Sequence, residues 1–449
     1  MNAILPSKPD IVRSWRSKSA LTLLLLFFAF GYIAASPANA QRPSNPGGNR
    51  EIPSGRPAGI DPPIGGRAGS LPSAADRGQA IAMEASDGRL SRAQLARAKE
   101  FERLQPDQFE TDSLGALAIR GEVLAIELSL ADLKKLEIEG FRVVRDIGNE
   151  ALDDPIYVLV KDGMTSRKAI NRLRKLSPKA TFAHNHIYFE SGAQSSAASP
   201  LPTISAKSRP VTVGLIDAGV ASKLPAFDGI SVTQRSFAAD GGGPSTHGTG
   251  VASILVGKKP LSSNSVKPAS LYVGGVYGRD GRGGTAELLS KALGWMFSQK
   301  VAVINVSLVG PPNAVVERTI GSMIGRGHII VAPVGNDGAS ARPLYPASYA
   351  GVVAVSAVDS SGSLLPEASK GARVDFVALG ITGAPDSNGK MITVRGTSFA
   401  APVVSRRLAE FLKTPDPAAA KDAVVRLKSE AARPKNMSNT RKFGNGLIE

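Results

Sequence analysis

Four short segments carry side chains able to act together on a carbonyl group. Gly214-Leu215-Ile216-Asp217-Ala218-Gly219 ends an apolar run with a carboxylate followed by small residues. Ser245-Thr246-His247-Gly248-Thr249-Gly250 sets an imidazole in the first turn of a helix expected to open at Ser245 or Thr246, with glycines that let another backbone approach. Arg395-Gly396-Thr397-Ser398-Phe399-Ala400-Ala401-Pro402 puts a hydroxyl at a second helix start. There the first amides lack intrahelical partners, and the helix dipole favours developing negative charge. Pro333-Val334-Gly335-Asn336-Asp337-Gly338 ends another apolar run with a neutral amide donor, suited to an oxyanion. Each has an ordinary structural explanation: a strand-end Asp caps a loop, a lone His packs, a Ser caps its helix, Asn-Asp-Gly turns. Together, in the order Asp, His, Ser, they fit an activated serine. Ser398 would attack, His247 would take and return the proton, Asp217 would hold the imidazole tautomer, and Asn336 would donate to the oxyanion.

Composition narrows the alternatives. The 449 residues contain no cysteine, which excludes disulfides, thiolate metal sites and a cysteine nucleophile, and only four histidines. Lys and Arg number 54 against 38 Asp and Glu, a balance of +16. The basic residues are scattered, and aromatics make up only 5%, too few for a base-stacking surface, so no nucleic-acid partner is expected. A chain of this length predicts more than one folded unit.

The amino terminus reads as an address. Lys8, Arg13, Arg16 and Lys18 precede an apolar run from Ala20 to about Ala35, and Ala38-Asn39-Ala40 forms a small-residue exit. Residues 1–40 are therefore expected to be a signal peptide cleaved before Gln41, leaving no stable membrane span; the alternative is an uncleaved anchor, for which the run is short. The protein is expected to be exported, periplasmic or secreted. Residues 41–112 read as a Pro/Gly-rich linker with one candidate helix.

Residues 113–190 carry a β-α-β-β-α-β order, a small α+β unit of the split βαβ kind. Its strands are expected at Glu122–Glu127, Phe141–Asp146, Ile156–Lys161 and Thr181–Phe189, with helices opening after Ser129 and at Thr165. His184 and His186 flank Asn185 in the last strand with no carboxylate partner identifiable from sequence, so surface or packing roles are expected. Residues 191–208, rich in Ser, Ala and Pro, read as a linker.

From residue 209 to 449 the texture becomes α/β. Continuous apolar runs at Val211–Ile216, Leu271–Val276, Val301–Leu308, Ile329–Val334, Val352–Val358 and Val374–Leu379 suit parallel strands covered on both faces. Helical stretches at Gly248–Val256, Ala286–Phe297, Ala314–Ile324 and Phe399–Leu412 alternate with them, which predicts a doubly wound, mainly parallel sheet. In such sheets, sites lie beyond the carboxyl ends of the strands, where Asp217 and Asn336 stand.

These segments resemble the subtilase (subtilisin-like) serine peptidases over roughly Val211 to Glu449. Gly396-Thr397-Ser398-Phe399-Ala400-Ala401-Pro402 is the most specific match. His247-Gly248-Thr249-Gly250-Val251-Ala252 and Ile216-Asp217-Ala218-Gly219 match with one departure each, at Gly250 and Ala218, neither of which supplies triad chemistry. Tyr345-Pro346-Ala347 and Gly444-Asn445-Gly446-Leu447-Ile448 resemble two further landmarks. The resemblance implies a subtilisin-like fold and peptide hydrolysis by Asp217, His247, Ser398 and Asn336. It implies a polypeptide substrate laid along Ser307, Leu308, Val309 and Gly310, with Gly281, Arg282 and Gly283 on the other side. Gly281–Gly283 read alone is also compatible with a plain turn; Arg282 is expected to favour acidic side chains upstream of the cut. The resemblance further implies that residues 113–190 are a prodomain, an intramolecular inhibitor removed by self-processing within 191–208; a retained accessory domain is the alternative. Calcium is frequent in the family, but no dense Asp/Asn/Glu loop stands out, so no metal or other cofactor is assigned.

Two rival readings stay open at this level. One is a weak or inactive peptide-binding protein on the same fold; the other is an envelope scaffold that binds acidic polymers through its basic face.

Overall fold

The computed structural model describes residues 92–191, 193–195, 211–256, 269–279, 283–338, 341–369, 373–433 and 439–449. The expected signal peptide, most of the two linkers, Gly281 and Arg282 lie outside the described residues.

Helix α1 (Arg92–Leu104) and a short strand β1 (Phe109–Thr111) precede β2 (Leu117–Ile126), α2 (Leu130–Ile138), β3 (Arg142–Ile147), β4 (Ile156–Val160), α3 (Ser166–Leu176) and β5 (Thr181–Glu190). The helix boundaries follow local chemistry. Ser129 caps α2 and the Asp132 carboxylate accepts the Ser129 backbone amide, a reciprocal capping box, while Gly140 takes a left-handed φ of +82° just beyond the helix. Thr165 caps α3, which buries Ala169, Ile170, Leu173 and Leu176 against Val123, Ala125, Leu159 and Phe182. The strands pair in the order β3-β4-β2-β5, all antiparallel. β2 begins five residues before the expected start. A register irregularity between Ala118 and Val123, with Gly121 at a φ of +72°, splits it into two halves, and only the second half reads as a strand in sequence.

After β6 (Ala193–Ser195) the chain builds a mixed α/β fold on β7 (Thr212–Asp217), β8 (Ile230–Ser236), α4 (Thr246–Val256), β9 (Ala269–Gly275), β10 (Gly284–Thr285), α5 (Ala286–Ser298), β11 (Val303–Val306), β12 (Leu308–Val309), α6 (Ala314–Gly325), β13 (Ile329–Pro333), β14 (Val353–Val358), β15 (Phe376–Leu379), β16 (Ile381–Pro385), β17 (Met391–Arg395), α7 (Thr397–Phe411), α8 (Pro417–Glu430), α9 (Thr440–Phe443) and β18 (Leu447–Ile448). Eight strands form one parallel sheet in the order β18-β15-β14-β13-β11-β7-β9-β8. Alternate side chains feed two cores. Val213, Leu215, Val303, Val331 and Val355 pack beneath α4, α7 and α8, while Ile216, Ile304, Val306, Ile330 and Ala332 pack beneath α5 and α6. Both faces being covered explains the continuous apolar runs.

The amino-terminal sheet lies over α5 and α6, where Leu124, Ile126, Val158 and Tyr188 join the second core. Arg145 forks onto Glu287 of α5 at 2.8–3.1 Å and reaches Glu122 at 2.6 Å. His186 is buried, as a packing role requires, and it has a carboxylate partner not identifiable from sequence, Asp112, at 3.2 Å from its Nε2.

Candidate active site

Asp217 is the last residue of β7 and is fully buried. Its Oδ1 accepts the Ala218 amide at 2.6 Å, which fixes the carboxylate at the strand end. Helix α4 arrives with its amino terminus pressed onto that same end. A Cβ on Gly248 would come within 2.9 Å of the carbonyl oxygens of both Ala218 and Gly219, so only glycine permits the approach. The approach carries His247, one residue earlier, onto Asp217. Nδ1 of His247 lies 3.1 Å from Oδ1 and 2.9 Å from Oδ2 of Asp217.

The other imidazole nitrogen, Nε2, is 3.0 Å from Ser398 Oγ. Ser398 sits in the first turn of α7, behind Gly396, whose φ of +137° turns the chain from β17 into the helix. The Phe399 ring packs 5.2 Å from the imidazole, centroid to centroid. With a proton on Nδ1 facing Asp217, Nε2 offers its lone pair to the Ser398 hydroxyl, the tautomer that general-base chemistry needs. Burial opposes charging this ring, but attraction and hydrogen bonding from Asp217 outweigh it. Glu190 and the Ser191 backbone add to the effect, and the His247 pKa is pushed up to about 9.

Asn336 reaches the same helix start from the far end of β13. Gly335, at a φ of +97°, donates its amide to Thr397 Oγ1 at 3.2 Å, and Asn336 Oδ1 accepts the Thr397 amide at 3.0 Å. That bond orients the side chain so that its Nδ2 points outward, where it donates to Ser191 Oγ at 2.9 Å. Behind the site, Asn305 donates to Ser307 Oγ at 2.6 Å and accepts from Ser405 of α7 at 2.9 Å, tying β11 to the helix that carries Ser398.

Of the residues expected along the substrate, Leu308 and Val309 form β12, Ser307 donates its amide to Ile216 O, and Gly310 pairs with Tyr345. Their edge is occupied by β5 of the same chain, with Leu308 opposite Glu190 and Val309 opposite Phe189. Gly283 lies on the other side of β5, so close that a Cβ there would meet Ile187 and the Tyr188 carbonyl at 2.7 Å. Gly281 and Arg282 lie outside the described residues.

Glu190 and Ser191 are site residues that the sequence reading missed. The Glu190 carboxylate falls within 4.8 Å of the donor atoms of Asp217 and His247. The surrounding protein raises its pKa and Asp217 adds to this, while His247 and Ser245 oppose it. Both nitrogens of His247 face protein partners, which leaves the ring none for a metal ion. A Glu-Ser-Gly step into a Ser/Ala/Pro stretch looks like the end of a domain, and only the strand pairing reveals its position.

Comparison with known proteins agrees with this geometry. Residues 208–446 match the family model described as Peptidase_S8, the Subtilase family. The chain is 32% identical over 245 residues to Subtilisin BL of Lederbergia lenta, covering 53% of this chain and 88% of that relative. It is 31% identical over 250 residues to Subtilisin DY of Bacillus licheniformis, with the same coverage of each chain. In fold it is similar to fervidolysin of Fervidobacterium pennivorans, a keratinolytic enzyme related to subtilisin, with a TM-score of 0.62 at 18% identity over 76% of this chain and 61% of that one. The parallel sheet, the strand-end and helix-start residues at its carboxyl edge and the match over residues 208–446 lead to one assignment: this chain belongs to the subtilase family of peptidases.

Proposed function

We propose that the chain is an exported serine endopeptidase, made as a zymogen and processed by its own active site. The observation that carries this reading is the position of His247, with Asp217 at 2.9 Å on one nitrogen and Ser398 at 3.0 Å on the other. Ser398 Oγ attacks the scissile carbonyl as His247 Nε2 takes its proton. Asp217 stabilises the imidazolium that forms. The Asn336 side-chain amide and the Ser398 backbone amide at the α7 start receive the oxyanion. His247 then returns the proton to the leaving amine, and water releases the acyl group by the reverse sequence.

An extended polypeptide substrate adds to the Ser307–Gly310 edge by main-chain pairing, opposite the Gly281–Gly283 segment, and Arg282 favours acidic side chains upstream of the cut. Residues 113–190 act as a prodomain that blocks this edge from within the same chain, with residues 209–449 as the catalytic domain. The occupied edge supports this, because β5 lies where a substrate would, paired with β12 on one side and with β10 on the other. Export rests on the amino-terminal pattern of residues 1–40; among the described residues no helix is long and apolar enough to cross a membrane.

The test is Ser398→Ala. Hydrolysis of an unstructured protein substrate should fall by more than about a thousand-fold, with the folded state retained. Hydrolysis within a few-fold of wild type would overturn the reading.

A further inference from the structure

Strand β5 does not stop at the edge of its own layer. Its last residues pair antiparallel with β10, Thr285 opposite Ile187 and Gly284 opposite Tyr188, and on the other side with β12, Val309 opposite Phe189 and Leu308 opposite Glu190. That pairing ends at Glu190 and Leu308, the residues next to Ser191 and Ser307. The chain is then caught again. Ala193–Ser195 pairs antiparallel with β17, Ala193 lying opposite Arg395, immediately before Gly396-Thr397-Ser398. Ser191 thus stands between two hydrogen-bonded clamps, one made by the strand expected to hold substrate and one by the strand that leads into the nucleophile.

The contacts of Ser191 agree with the register. It is 3% exposed. Its Oγ receives the Asn336 amide at 2.9 Å and lies 3.4 Å from Thr397 Oγ1. Its backbone acts on the His247 imidazole to favour the charged ring, and the Nε2 of that ring holds Ser398 Oγ. The residue before it, Glu190, brings its carboxylate to the same imidazole. Asn336 and His247 therefore both act on this one residue of the chain, and the same imidazole holds Ser398.

We propose that the peptide bond on the carboxyl side of Ser191 is the bond this active site cuts in its own chain. The inference rests on the reading of the site as a serine peptidase. Ser398 Oγ bonds to the Ser191 carbonyl carbon while its proton passes to His247 Nε2. The C–N bond to Gly192 breaks, and the Gly192 amine leaves with that proton. Water then adds to the Ser191 ester, giving a proton to His247. The ester C–O bond breaks, Ser398 recovers its hydrogen, and Ser191 is left as a free carboxylate. The sequence read at the cleft in this step is Tyr188-Phe189-Glu190-Ser191, with an acidic residue and then a small hydroxyl residue before the bond.

The experiment is intact-mass spectrometry of the full-length chain and of its Ser398→Ala variant, each purified folded. Wild type should yield two fragments, one ending at Ser191 and one beginning at Gly192, at a rate unchanged by a hundred-fold dilution; the variant should yield neither. Cleavage confined to other bonds, or a rate proportional to concentration, overturns the inference and leaves the peptidase reading standing. Identical fragments from wild type and Ser398→Ala overturn it by pointing to another protease. An uncut wild type that neither hydrolyses peptides nor reacts with a fluorophosphonate overturns both.

Discussion

Gly248 stands so near the backbone of Ala218 that a single added methyl would lie 2.9 Å from the Ala218 carbonyl oxygen. That closeness sets the distance between His247 and Asp217, because the helix start and the strand end are both rigid. Gly248→Ala should push α4 off the end of β7 and carry the imidazole with it. A displacement approaching 1 Å costs on the order of 100-fold in turnover. The expected result is a large loss of kcat with little change in KM for a peptide substrate. A normal kcat would show that the contact does not position the base.

Asn336 holds its amide outward because its oxygen is engaged by the Thr397 amide. Asn336→Ala should lower kcat by about 100- to 1,000-fold if that amide serves the oxyanion. Steady-state kinetics with an ester and an amide substrate would check this, and turnover near wild type would remove Asn336 from the role.

Much of this arrangement is legible in the sequence, and the reasons differ by element. The central strands read clearly because both faces are buried. β8 did not, since it is the sheet edge and most of its side chains are exposed, which removes the apolar run. α8 carries Asp416 as its cap and Pro417 at its first position, a readable start that its weak apolar stripe obscured. Asp217, His247 and Ser398 could be read because each carries small neighbours that only close packing requires. Glu190 and Ser191 could not, because their role comes from pairing with strands more than a hundred residues later in the chain. The same holds for His186, whose carboxylate partner Asp112 lies 74 residues away.

Glu190 should tune self-processing through His247. The groups facing its carboxylate are Asp217 and His247, with Ser245, Tyr277, Arg97 and Arg279 lining the cavity beside it. A negative charge there favours the imidazolium, and only the neutral ring can accept the Ser398 proton. Glu190→Gln should therefore let the ring lose its proton at lower pH. Self-cleavage at pH 7 should become faster, and the rising limb of its pH–rate profile should move toward acid. An unchanged profile would mean that the Glu190 charge is not felt by His247.

The amino-terminal layer should detach more readily in acid. Asn313 caps α6 with its oxygen and donates its amide to the His184 carbonyl and to His186 Nδ1, tying α6 to β5. Burial, with the neighbouring His186, depresses the His184 pKa from 6.5 to about 3. A histidine depressed in the folded state stabilises above its ordinary value, and that contribution is lost as pH falls from about 6.5 toward 3. After processing, dissociation of the cut amino-terminal fragment should be several-fold faster at pH 5 than at pH 8, and His184→Gln should flatten the difference. Equal dissociation rates across that range in the wild type would contradict this.

Peptide hydrolysis by this site requires Ser398 to be a nucleophile activated through His247. Peptide mapping of protein treated with a fluorophosphonate tests this most directly. Modification should be stoichiometric and confined to Ser398 in the processed wild type, and at least about a hundred-fold slower in folded His247→Ala. Labelling spread over other hydroxyls, or labelling of Ser398 at the same rate without the imidazole, would contradict it.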